Sequence, residues 1–264
     1  MRIGKITVAL LSLAIAAIAY VFWQMNSPSP GLTRRFVKEM TPVEIYLQHA
    51  QGAGTRLRIP AAYMQWSEDR AGGVSDGMVV LVAVYPEMTP VALSQNPDKG
   101  EFSIDPLRFD SLIHIRPSLP DGIKRIFAES VNPTTLIRHH DTPGFSMYRA
   151  EFAGQTREYL VPIAQGGTSD ATDVVFACGP YLDNDVTKRL WGQCDVHAQA
   201  TDRIIVVYDV PGGALDRWYE VHEKVMTLFR SLVVDCFEGP KLKGGDRPDE
   251  LYPCQIDGDG TYRQ

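Results

Sequence analysis

Residues Arg203–Val233 read RIIVVYDVPGGALDRWYEVHEKVMTLFRSLV, and the change of rhythm inside that stretch decides the fold. Arg203 to Val210 is apolar and β-branched, the composition of a buried strand. Pro211-Gly212-Gly213 breaks it. From Ala214 to Val233 the apolar residues return at helical spacing, with Trp218, Val221, Val225, Leu228, Phe229 and Leu232 on one stripe. Asp216, Arg217, Glu220, Glu223, Lys224 and Arg230 face away, and Glu220–Lys224 is a favourable i, i+4 pair. Leaving that stripe in water costs roughly 1.5–3 kcal/mol for each large apolar side chain. A helix of this kind after a run of strands covers one face of the sheet.

The strands that supply the sheet lie upstream. Thr134–His139, Ser146–Phe152 and Thr156–Ile163 are joined by Asp141-Thr142-Pro143-Gly144 and Ala153-Gly154-Gln155, short glycine-bearing hairpin connections. Asp173–Cys178 and Trp191–Ala198 continue the series into Arg203–Val210. Sequential strands with short joints are antiparallel neighbours. Further upstream, Glu44–Leu47 and Thr55–Pro60 read as strands around Gly52-Ala53-Gly54. Leu57 and Ile59 alternate there with Arg56 and Arg58. Met78–Tyr85, MVVLVAVY, is a strand buried on both faces. Leu112–Ile115 is a short strand closed by Pro117, and Asp121 caps a brief helix carrying Ile123, Ile126 and Phe127. Gln65–Gly77 and Met88–Pro106 read as loops. The expected fold is α+β: a mainly antiparallel meander sheet with a C-terminal amphipathic helix packed on it.

An N-terminal transmembrane helix is expected to precede that fold. Ile6–Trp23 is 18 residues without a charge, long enough as a helix to span about 27 Å, close to a hydrocarbon core. Arg2 and Lys5 precede it and Tyr20 and Trp23 lie near its end, which places the N-terminus in the cytoplasm. A cleavable signal peptide ending near Ala14-Ile15-Ala16 or Ala17-Ile18-Ala19 is the rival reading. Cleavage there exposes Tyr20-Val21-Phe22-Trp23 on the mature protein, which favours the retained anchor. Residues 24–35 then form a Pro/Ser/Gly tether. Residues 36–237 form the exported domain, as one lobe or as two split near 117–133, and 238–264 is a tail. A short, plain anchor of this type suits the bacterial inner membrane, single-pass, with the bulk of the chain periplasmic.

Without the anchor the chain carries 24 basic and 32 acidic residues, a net charge of −8. That excludes a nucleic-acid or anionic-lipid grip and suits a basic, secreted protein partner. Cys178, Cys194, Cys236 and Cys254 are an even number in an exported chain and are expected in disulfides. Three pairings are open, the most local being Cys178–Cys194 with Cys236–Cys254. No Cys-x-x-Cys spacing supports a metal.

No catalytic, cofactor or metal residue is assigned. Gly73-Val74-Ser75-Asp76-Gly77 matches G-x-S-x-G literally, but a nucleophile elbow needs a strand before Ser75 and a helix after it. His222-Glu223-Lys224-Val225-Met226 lacks the second histidine of a zinc helix. His139 and His140 are adjacent on a strand and point to opposite faces, while Asp141 suits the turn that follows. Asp257-Gly258-Asp259-Gly260 lacks the remaining ligands of a calcium loop, and Asp183-Asn184-Asp185 reads as a turn. Neither a P-loop nor a dinucleotide fingerprint occurs. Tyr63, Trp66 and Trp191 are either core or partner anchors. These failures leave a non-catalytic protein-binding module as the expected class, with an immunity or inhibitor protein against an envelope-targeting toxin as its concrete form. A structural or assembly subunit and a serine hydrolase using Ser75 with His139 or His140 are the alternatives.

Overall fold

The computed structural model describes residues 37–49, 52–64, 69–93, 104–105, 107–119, 122–123, 137–142, 145–152, 155–162, 173–178, 193–243, 246–256 and 262–263. The apolar segment Ile6–Trp23, the tether, Trp66, Asp183–Asp185, Trp191 and Asp257–Gly260 lie outside them. Among the described residues no helix is long and apolar enough to cross a membrane. The chain divides into Met1–Arg34 and a compact unit Arg35–Gln264.

The compact unit is mostly antiparallel sheet with one long helix. Its strands run in chain order β1 (Pro42–Gln48), β2 (Gly54–Pro60), β3 (Gly73–Ser75), β4 (Val79–Val84), β5 (Thr89–Pro90), β6 (Ile104–Asp105) and β7 (Arg108–Pro117). Then come β8 (Ile137–Thr142), β9 (Phe145–Phe152), β10 (Gln155–Pro162), β11 (Val174–Cys178), β12 (Gln193–Thr201) and β13 (Ile204–Pro211). Helix α1 spans Trp218–Leu232, followed by β14 (Val233–Phe237), β15 (Gln255–Ile256) and β16 (Tyr262–Arg263).

The expected meander is present, in the order β13-β12-β11-β10-β9-β8. It continues on its other side through β7, β4 and β5, so Met78–Tyr85 and Leu112–Ile115 belong to the same sheet as the hairpins. β4 is buried on both faces. A second, four-stranded sheet has the order β14-β2-β1-β3. Two of its strands escape a local reading. β3 lies in the stretch expected as loop and pairs in parallel with β1. β14 follows α1 directly and pairs with β2.

One core joins both sheets and the helix. Ile45, Leu47, Leu57 and Ile59 of the small sheet meet Leu81, Ile113, Val196 and Val206 of the large one, with Val221, Val225, Met226 and Phe229 of α1. The helical stripe is thus buried as the spacing demanded, with Met226 added to it. Trp218 at the start of α1 packs on Phe145 and Phe176, ring centres 5.8 and 5.5 Å away. It fastens the helix to the β9 and β11 side of the sheet. On the opposite face of the large sheet Ile123 covers Tyr159, Val175, Ile205 and Val207. Its backbone N–H donates to Gln199 Oε1 at 3.3 Å.

Both disulfides have the local pairing. Cys178–Cys194 joins residues directly opposite on β11 and β12. Cys236–Cys254 ties the tail to β14, beside reciprocal backbone bonds between Cys236 and Tyr252 of 2.8 and 3.0 Å.

Candidate functional site

The face of the large sheet turned away from the core carries a polar cluster at β7, β13 and β12. Alternation puts it there. On β12, Cys194, Val196 and Ala198 point into the core, so Gln193, Asp195 and His197 point outward. On β7, Phe109, Ile113 and Ile115 are buried and His114 and Arg116 take the other face. The register then sets Asp195 directly opposite Asp209 of β13. It also aligns His114 with Val207, and Val207 with His197, across the three strands.

Two carboxyl groups side by side are the unusual element, because like charges directly opposite destabilise a sheet. Burial holds Asp209 up to a pKa of about 7, and the Asp195 charge and a hydrogen bond donated by the protonated Asp209 to the Asp195 carboxylate add to the effect. A hydrogen bond from Gln193 opposes it. Asp209 therefore keeps its proton to near neutrality. His114 is pushed below its ordinary value by burial and then by the Arg116 charge, while Asp195 pulls the other way. Arg116 Nη2 lies 3.3 Å from His197 Nδ1 and donates to it. Beneath the pair, the buried Ser111 hydroxyl donates to the Asp209 carbonyl at 3.0 Å and fixes β7 against β13.

Asp195 is exposed and Asp209 half-buried. A carboxyl pair so placed suits a guanidinium or ammonium group brought by another molecule, which would form charge-assisted bonds to both oxygen sets. Among the described residues, no three His, Cys, Asp or Glu side chains converge to hold a metal ion.

The residues singled out from the sequence lie elsewhere. Ser75 ends β3, an edge strand of the small sheet, and is followed by a bend and then β4. The strand before Ser75 is therefore present, but a second strand follows where a nucleophile elbow needs a helix. His139, His140 and Asp141 lie on β8, at the far edge of the other sheet. His222 faces Tyr208, its Nδ1 2.9 Å from the phenolic oxygen, and serves packing. Tyr63 donates its hydroxyl to the Met88 carbonyl at 2.9 Å. The cysteines are spent in the two disulfides.

Asp195, Asp209, His114, Arg116 and His197 were not flagged by any motif. The alternation within Gln193–Ala198 does signal that Asp195 and His197 share an outer face. The pairing with Asp209 depends on the strand register.

No protein-family model matches the chain, and no curated protein matches it. Among solved structures it is similar to an immunity protein of the Stenotrophomonas maltophilia type IV secretion system. The TM-score is 0.47 at 15% identity, covering 76% of this chain and 98% of that one. A likeness of that size carries neither fold nor role across.

Proposed function

We propose that the chain is a membrane-anchored, non-catalytic protein-binding module facing the bacterial periplasm, acting as an immunity protein that neutralises a basic, envelope-targeting toxin. The observation that carries this reading is the cross-strand pair Asp195–Asp209. Such a pair costs the fold stability and does nothing for packing. A lysine or arginine of a partner seated between the carboxyl groups removes that repulsion, so the cost is returned on binding. The net charge of −8 outside the anchor favours encounter with a basic protein. Two disulfides suit an oxidising compartment. Anchoring and topology rest on Arg2, Lys5 and the span Ile6–Trp23.

The test is affinity capture from envelope extract with the full chain, compared with an Asp195→Asn/Asp209→Asn variant. One basic protein, captured by the wild type and lost both in the variant and at high salt, supports the reading. Membrane proteins recovered at fixed ratio with both baits replace it with an assembly-subunit role. An absence of specific capture counts against any binding module.

A further inference from the structure

The small sheet contains a gap that the carboxyl pair does not use. On one side β1 is paired along its whole length by β2, from Pro42↔Pro60 to Gln48↔Gly54. On the other side β3 pairs only with Ile45, Tyr46 and Leu47. Among the described residues, Pro42–Glu44 has no strand on that side, and a cleft of about 650 Å³ opens there. Its other walls are the lead-in at Glu39 and Thr41, the turn Arg70–Gly73, and Asp246–Arg247 of the disulfide-tied tail. Cavities of roughly 300–1,000 Å³ are the size that takes a small ligand or a few extended residues.

The gap is built in by Gly72 and Gly73. Both have positive φ, +70° and +101°, so the chain turns a corner that L side chains rarely adopt. A Cβ on Gly72 would stand 2.7 Å from the Glu44 carbonyl oxygen. The chain crosses β1 closely at this corner and joins it as a strand only from Gly73 onward. A sheet edge left open in this way is a template for an added strand.

The rim sets what that strand carries. Glu39 and Asp246 are exposed beside the opening. Glu44 is bridged by Arg56 at 3.5 Å. Arg70 is half-buried and already engaged, so among the described residues lining the cleft Arg247 is the exposed cation, beside the exposed carboxylates of Glu39 and of Asp246, which accepts from the Lys243 N–H at 3.0 Å. We infer that the cleft takes an extended basic peptide segment, laid beside Pro42–Glu44 as a strand in line with β3. Pro42 has no N–H and the Glu44 carbonyl is met by the Gly72 corner, so the peptide bonds to the Pro42 carbonyl and the Glu44 N–H, and its alternate lysine or arginine side chains meet Glu39 and Asp246. This site is independent of the Asp195–Asp209 face and of the toxin reading.

The test uses the full chain in detergent and a fluorescent heptapeptide, Lys-Val-Lys-Val-Lys-Val-Lys. The acidic counterpart with Glu for Lys is expected to bind about tenfold more weakly or worse, a difference of about 1.4 kcal/mol. An added strand bonds through alternate residues only. Of two peptides N-methylated on either the Val or the Lys amides, one therefore loses about tenfold and the other keeps its affinity. A Glu39→Lys/Asp246→Asn variant, which keeps a side-chain acceptor for the Lys243 N–H, reverses the charge preference. The titrations are run in an Asp195→Asn/Asp209→Asn background as well as in the wild type, so that binding retained there is read at this cleft and not at the carboxyl pair. The inference is overturned by no binding of the basic peptide, by equal loss in both methylated peptides, or by indifference to the charge-reversed rim.

Discussion

The phenolic oxygen of Tyr208 lies 2.9 Å from Nδ1 of His222, a bond between the middle of the large sheet and the helix that covers it. Burial pushes Tyr208 upward and His222 downward, so the phenol keeps its proton and donates it to a neutral imidazole. Replacing Tyr208 with Phe leaves that nitrogen unpaired in a half-buried setting. We expect a loss of about 1–2 kcal/mol, measured by urea unfolding at pH 7. A variant as stable as the wild type would remove this bond from the account of helix docking.

His49 gives the fold a pH dependence. It is buried, its Nδ1 donates to the Arg203 carbonyl at 2.9 Å, and burial lowers its pKa to about 4. In the unfolded chain it titrates near 6.5. Between those values the unfolded state binds the proton and the native state does not, so stability falls as pH drops from about 6.5 to 4. The loss is about 3 kcal/mol and levels off below pH 4. Denaturant titrations across that range read the slope, to which His222 adds in the same direction. His49→Asn flattens most of it, and an unchanged slope would assign the acid sensitivity elsewhere.

What the sequence made legible follows from how local each signal is. The period-two and period-3.6 patterns of Asp173–Val233 mark β11 and β13 within one residue of their observed ends, β12 within three, and the end of α1 within one, while α1 starts four residues after Ala214 because Gly212–Arg217 forms a 3-10 turn. The most local cysteine pairing is also the observed one, because Cys178 and Cys194 fall on adjacent strands. β3 was hidden because it is three residues long and carries two glycines in its approach. β14 was hidden because Val233–Phe237 continues the helix pattern without a breaker and finds its partner, β2, near the other end of the chain. The Asp195–Asp209 pair was hidden for the same reason as any cross-strand contact. Each residue alone is an unremarkable polar position, and only the register sets them opposite.

The carboxyl pair predicts a stability change of opposite sign to that of His49. Asp209 holds its proton up to about pH 7, well above the unfolded carboxyl value. The native state therefore binds more protons between about pH 4 and 7, and this contribution to stability declines as pH rises through 7. Asp209→Asn removes the repulsion and stabilises the fold at pH 8 by about 0.5–1 kcal/mol, with a smaller gain at pH 5. Thermal unfolding at the two pH values measures it. A destabilised variant at pH 8 would mean that the pair supports the fold.

The two disulfides close loops with sequence separations of 16 and 18, worth about 3 kcal/mol each on loop-closure grounds. They differ in what they hold. Cys178–Cys194 lies within a strand ladder, whereas Cys236–Cys254 holds a tail whose Lys241, Lys243 and Arg247 are exposed. Cys236→Ser/Cys254→Ser should therefore be cut rapidly by trypsin after Lys241 and Lys243 under native conditions, whereas Arg247 is protected by the Pro248 that follows it. Equal protection of the tail in the variant would show that the Cys236–Tyr252 backbone bonds suffice alone.

Gly54 was read as part of a turn, yet it is the first residue of β2, paired with both Gln48 and Phe237. The Phe237 ring lies across it, so a Cβ there would stand 2.1 Å from the ring's Cζ and 2.6 Å from the Leu47 carbonyl oxygen. The same ring meets Tyr46 edge-on at 6.1 Å. A strand glycine often marks a close approach of this kind. Gly54→Ala should cost about 1–3 kcal/mol by overpacking. In a Phe237→Leu background the ring's share of that clash is gone while the Leu47 carbonyl remains. The cost should then shrink by at least about 0.5 kcal/mol without vanishing, the signature of direct coupling. Additive effects in that double-mutant cycle would place the strain of an alanine at position 54 entirely in the backbone of β1.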